Sequence, residues 1–247
     1  MSESMIMWME IVFNITYLIV VWGLVIAMIR RQPQVPAENQ KLTRLFIWAF
    51  GLLALGDSGH VGFRVLAFAS GNLETTFSVS GIQFGLVGLG ALSTAITVTL
   101  FYVLILMIWH ERYKQPYGWF GFMLFAAAII RFMIMLLPGN MWNSAVPPQP
   151  MSLYRNFFLT VLGLGGAYLI LRDSIAAKDH AFTWMGAMIV VSYALYIPVI
   201  LLVQMYPMVG MLMIPKTLAY VAVGFIAYFN FFRAPQEAHI SAETSSA

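Results

Sequence analysis

Residues 82–109 read IQFGLVGLGALSTAITVTLFYVLILMIW, 28 positions without one Asp, Glu, Lys or Arg. A bilayer's hydrocarbon core, about 30 Å thick, is crossed by roughly 20 apolar residues in a helix, so this run predicts a membrane span.

Six further runs share its character, at 9–29, 44–69, 118–137, 153–171, 182–206 and 209–232, giving seven predicted spans. The connections at 30–43, 70–81, 110–117, 138–152 and 172–181 hold the Pro, Gly, Asn, Ser and charged residues expected of turns. The last two runs are divided only at Tyr206 and Pro207, where one ends and the turn begins. Composition agrees: 61% of the 247 residues are hydrophobic and 9% charged, where soluble domains hold roughly 45–50% and about 25%. Seven spans consume about 150 residues and leave no room for a soluble domain. The expectation is an all-α, seven-helix membrane domain over 1–233, with a disordered tail at 234–247.

Orientation is read from the basic residues. Arg30, Arg31, Lys41, Arg44, Arg112, Lys114, Arg172, Lys178 and Arg233 all fall on one side if the spans alternate, and the opposite loops, 70–81 and 138–152, contain no Lys or Arg. The positive-inside rule then predicts an outside amino terminus and an inside carboxyl terminus, and the minimal loops point to a multi-pass protein of a bacterial inner membrane. Trp8, Trp48, Trp109, Trp119, Trp142 and Trp184 lie at predicted span ends, as an interfacial belt requires, and Trp22 lies mid-span. The start, MSESMIMWMEIVF, lacks the basic residues and cleavage site of a secretory signal, so its apolar run is expected to be retained.

A net charge of +3 and a pI near 9.2 follow from that asymmetry and imply no nucleic-acid partner. With no cysteine, disulfides, thiolate metal sites and cysteine nucleophiles are excluded. No internal repeat supports an inverted-repeat transporter.

Ionisable side chains are costly in hydrocarbon and usually face the bundle interior or a wet cavity. In the second span, LALGDSGHVGFRVLAF places Asp57, His60 and Arg64 on one helical face. That stripe is either an internal ion-pair network or part of a site. Other spans place polar groups at matching depth: Glu10 and Asn14 in the first, Gln83 in the third, Arg131 in the fourth, Arg155 and Asn156 in the fifth, Tyr196 and Gln204 in the sixth, Lys216 in the seventh. The other halves of the spans are mostly apolar, so the layer predicts a pocket that opens outward and closes inward. The segment PGNMWNSAVPPQPM reads as an ordinary loop with an interfacial anchor or as a lid over that pocket.

Charge counting gives the pocket a ligand class. Arg64, Arg131, Arg155 and Lys216 face two acids, Asp57 and Glu10, which leaves two positive charges over. An anion would supply a partner, so the expected ligand is an amphiphile or small anion whose carboxylate or phosphate meets Arg64, Arg131 and Lys216 beside membrane lipid. The alternative is an intramembrane lipid hydrolase or transferase, with His60 as acid or base, Asp57 orienting it and Arg64 stabilising an oxyanion. No GxSxG motif supplies a nucleophile. No metal site is expected, because only His60 among the histidines lies within a span. The Gly-rich GLVGLGA and the Ser93, Thr94, Thr97, Thr99 series are expected to serve close packing and backbone hydrogen bonding.

Seven spans with a lysine in the last are similar in topology to the microbial rhodopsins. That resemblance implies retinal bound to Lys216 as a Schiff base, with Asp57 or Glu10 as counterion. It stops at topology: Leu212 stands where the family has an Asp one turn before the lysine, and no acid occurs between Gln83 and Trp109.

Overall fold

The computed structural model describes residues 3–70, 72–79, 81–146 and 148–233, with only the backbone described for residues 3–11, Val79 and Ile82. It is 83% helical, and seven of its helices are long and apolar enough to cross a membrane, the composition of a multi-pass membrane protein. The expected tail, 234–247, lies outside the described residues.

The helices are α1 Glu3–Arg31, α2 Gln40–Ala69, α3 Leu86–Tyr113, α4 Gly118–Leu136, α5 Met151–Ala176, α6 His180–Leu202 and α7 Met213–Ala227. A 3-10 turn, Pro207–Leu212, leads into α7, and a π-helical turn, Tyr228–Phe232, follows it. Local chemistry sets the boundaries. Pro33 and Pro36 interrupt the chain between α1 and α2, since proline cannot continue a helix's hydrogen-bond ladder. Lys114 ends α3 in the left-handed region at φ 54. Asp179 opens α6, its carboxylate accepting the Phe182 N–H at 3.2 Å, as an N-cap does.

The all-α bundle carries one element that was not expected. Thr76–Val79 and Ile82–Gly85 form an antiparallel hairpin, β1 and β2, pairing Phe77 with Phe84 and Ser78 with Gln83. Gly81 at φ 82 completes its turn. The third helix therefore starts at Leu86, and Gln83 lies on an exposed strand rather than in a span. Alternation in TFSV and IQF and the intervening Gly are the signal for a hairpin; a search for long apolar runs reads through it.

The helices close into a ring, α1 against α2 and α7, with α3 drawn inward to reach α5. Lipid offers no hydrophobic drive between helices, so close approach at small residues and hydrogen bonds between helices hold the bundle. On α2, Gly56 and Gly59 face Thr97 and Ser93 of α3, and Thr94 donates to the Gly56 carbonyl at 3.1 Å. Gly90 lies so near His60 that an added Cβ would stand 3.0 Å from its Cα. The glycines and hydroxyls of α3 thus serve packing, as their composition led one to expect.

The two ends of the bundle differ. All four ion pairs among the described residues, Lys41–Glu111, Lys114–Glu111, Arg112–Asp179 and Arg172–Asp173, lie at the basic end. Near that end Phe46, Phe50, Phe101, Phe182 and Trp109 fill the core. The hairpin and residues 138–146 cap the other end, where the Gly85 N–H donates to the Trp142 carbonyl at 3.0 Å.

Candidate functional site

The polar layer sits towards the hairpin end, and Arg131 on α4 is its centre. Its residue is only 2% exposed, and among the described residues neither Nε nor Nη1 finds a hydrogen-bond partner. The hydroxyls of Tyr193, Tyr196 and Tyr220 and the charge of Arg155 are close enough to act on it. A buried guanidinium with unpaired donors is costly, because its lost hydration is not replaced.

Arg155, near the start of α5, is also buried, but it is held. Its Nη1 donates to Asn140 Oδ1 at 3.0 Å, and its guanidinium carbon lies 4.6 Å from the centre of the Trp142 ring. Asn140 in turn donates to the Ile134 and Leu137 carbonyls, ending α4, and Trp142 donates its indole N–H to the Met135 carbonyl at 3.0 Å. The 138–146 segment therefore lies over the hairpin end and anchors one cation of the layer.

Lys216 lies on α7 with its Nζ 4.5 Å from the centre of the Tyr196 ring and 5.1 Å from that of Tyr220, distances at which ring faces attract a cation. Tyr196 donates to Asn156 Oδ1 at 3.2 Å, joining α6 to α5. Asp57 of α2 accepts the Tyr17 hydroxyl at 2.6 Å. Asp57 and Lys216 feel each other's charge without coming within ion-pair distance.

His60 and Arg64 do not complete the expected stripe. His60 Nδ1 is buried with no hydrogen-bond partner among the described residues, and the hydrogen bond seen at Asp57 goes to Tyr17. Arg64 is exposed, one turn beyond His60. Asn14 is half-buried on α1, Gln204 is exposed beyond α6, and the Glu10 side chain lies outside the described residues. The structure thus brings together Arg131, Arg155, Asn156, Tyr196, Lys216 and Asp57, and leaves Gln83 and Arg64 at its surface.

Several participants were not singled out from the sequence. Tyr102 and Tyr220 share a short hydroxyl–hydroxyl hydrogen bond, and Tyr193 donates to the Leu159 carbonyl at 2.8 Å. All three are buried beneath the cations. Their signal was tyrosine within otherwise apolar spans, because a buried phenol demands a partner. Asn140, 1% exposed, had no signal, since asparagine in a Pro/Gly loop reads as a turn residue.

The chain matches no family model, no curated protein and no solved structure. Side-chain geometry alone therefore carries the functional evidence.

Proposed function

We propose that the layer at the hairpin end binds the carboxylate or phosphate of an amphiphilic ligand or small anion, in a protein that binds, senses or transports it. The carrying observation is Arg131, buried with two unpaired guanidinium donors. Arginine stays protonated and its fork matches a carboxylate or phosphate, so an anion is the ligand that would satisfy those donors. Lys216 and Arg155 add positive charge close by, against the Asp57 carboxylate among the described residues. Arg64, exposed, serves at most as an entry contact.

The positive-inside rule supports an arrangement with the amino terminus outside, the carboxyl terminus inside and this layer in the outer half of a cell membrane. A lipid-modifying enzyme built on His60 and Asp57 has less support, because the Asp57 carboxylate is engaged by Tyr17. Lys216 against two tyrosine rings suits a free ammonium better than a Schiff base.

Native mass spectrometry of the whole chain in mild detergent, beside a denaturing spectrum, tests the reading. The expected result is an acidic adduct that is lost on denaturation and is absent or weakened at least tenfold in Arg131→Gln. An adduct equally occupied in that variant overturns the assignment, and an adduct that survives denaturation on Lys216 replaces it with a covalent cofactor.

A further inference from the structure

A second cleft-forming feature lies at the basic end, away from the Arg131 layer. Where α1 and α2 meet, Ile29, Gln32, Arg44, Ile47 and Trp48 line a cleft of about 270 Å³. It sits beside the turn joining two spans, Val12–Gln34 and Ala37–Ala69, the depth at which lipid headgroups give way to acyl chains.

Its composition is divided. Ile29 and Trp48 are 52% and 64% exposed and turn an apolar wall outward. Arg44 is exposed one turn from Trp48 on the same face of α2, and no carboxylate lines the cleft. Of the neighbouring cations, Lys41 pairs with Glu111 at 2.6 Å and Arg31 donates to Gln34 Oε1 at 3.0 Å, while Arg30 does not line the cleft. Arg44 takes part in none of the ion pairs or side-chain hydrogen bonds among the described residues. A second cleft at the same end, lined by Glu38, Asn39, Leu42, Glu111, Arg112 and Lys114, makes the contrast. There Glu111 and Asp179 already neutralise the cations.

We propose that the cleft between α1 and α2 is a binding site for an anionic phospholipid, its phosphate on Arg44, its headgroup edge against Gln32 and its upper acyl chain along Ile29, Ile47 and Trp48. One unpaired arginine above an apolar wall matches a monoanionic lipid in both charge and polarity. Trp48 supplies the amphipathic ring that favours this depth.

The test titrates the purified full chain with phosphatidylglycerol or with phosphatidylcholine of the same acyl chains, counting bound lipids by native mass spectrometry. The wild type is expected to prefer phosphatidylglycerol. Arg44→Gln is expected to weaken that lipid about fivefold, one basic residue's share of such attraction, and to leave phosphatidylcholine unchanged. Arg44→Lys should retain most of the preference, while Lys178→Gln, an equal loss of charge in the exposed α5–α6 turn, should alter nothing. Glycerol 3-phosphate, without acyl chains, should not compete. Unaltered phosphatidylglycerol binding in Arg44→Gln, or an equal loss in Lys178→Gln, overturns the site. Competition by glycerol 3-phosphate overturns the assignment to a lipid. Arg131→Gln should leave the Arg44-dependent part of phosphatidylglycerol binding, the difference between wild type and Arg44→Gln, intact, so failure here and failure of the Arg131 site are distinguishable.

Discussion

Lys216 of α7 holds its Nζ 4.5 Å from the centre of the Tyr196 ring, and the Tyr196 hydroxyl donates to Asn156 at 3.2 Å. One tyrosine thus presents its π-face to a cation and its polar tip to the neighbouring helix. Lys216 and Arg155 both have aromatic partners, Tyr196 and Tyr220 for one, Trp142 for the other. Arg131, in the same layer, has two donors without a partner among the described residues. That asymmetry separates cations held by the fold from the one available to a ligand.

If Arg131 is kept for a ligand, the empty protein should gain stability when it is lost. Arg131→Met replaces a buried, incompletely bonded charge with an apolar chain and is expected to stabilise the ligand-free protein by about 1–3 kcal/mol. Thermal unfolding in detergent measures this, and the stabilisation that a bound anion gives the wild type should vanish in the variant. Destabilisation of the ligand-free protein would mean that the fold already satisfies Arg131.

The contact between Tyr17 and Asp57 is expected to contribute on a larger scale than a neutral hydrogen bond. A hydroxyl donating to a carboxylate at 2.6 Å is worth about 1.5–3 kcal/mol, and Tyr17→Phe should lose that much stability. Asp57→Asn keeps an acceptor and should lose less. Equal losses in both, with no coupling in the double variant, would show that the two residues act separately.

Seven spans and their order were legible because length and lack of charge suffice to mark a membrane helix, and the ends of Gly118–Leu136 fall within one residue of the expected 118–137. The hairpin was not, since Ile82, Phe84 and Leu86 continue an apolar run whether the backbone is strand or helix. At the site, depth along each helix was readable but facing was not. Asp57 and Arg64 share a helical face by spacing, yet Asp57 meets Tyr17 of α1 while Arg64, two turns further on, is exposed. Arg155 read as one of four cations facing too few acids, whereas Asn140 and Trp142, from a loop with no periodicity, hold it in place.

Loop 138–146 should depend on a glycine that does not belong to it. A Cβ on Gly88 of α3 would meet the Trp142 carbonyl oxygen at 1.9 Å, and backbone cannot move aside as a side chain can. Gly88→Ala is therefore expected to lift the loop, costing about 1–3 kcal/mol, and to expose it to protease together with a change in Trp142 fluorescence. On α2, Gly62 has nothing within 4 Å of its added Cβ, so Gly62→Ala should be neutral or stabilising. If the two variants behave alike, the loop does not rest on α3 through this contact.

Orientation is open to a direct test because the chain has no cysteine, so one introduced thiol is the sole target. Ser144 lies in the loop at the hairpin end, and Lys178 in the α5–α6 turn at the basic end, both in short connections. A membrane-impermeant maleimide applied to intact cells is expected to label Ser144→Cys and to reach Lys178→Cys only after permeabilisation. The reverse pattern would place the basic end outside, against the charge rule, and would turn the Arg131 layer towards the cytoplasm. The ligand would then come from the cell interior, and the search for it would move from environmental anions to metabolites and inner-leaflet lipids.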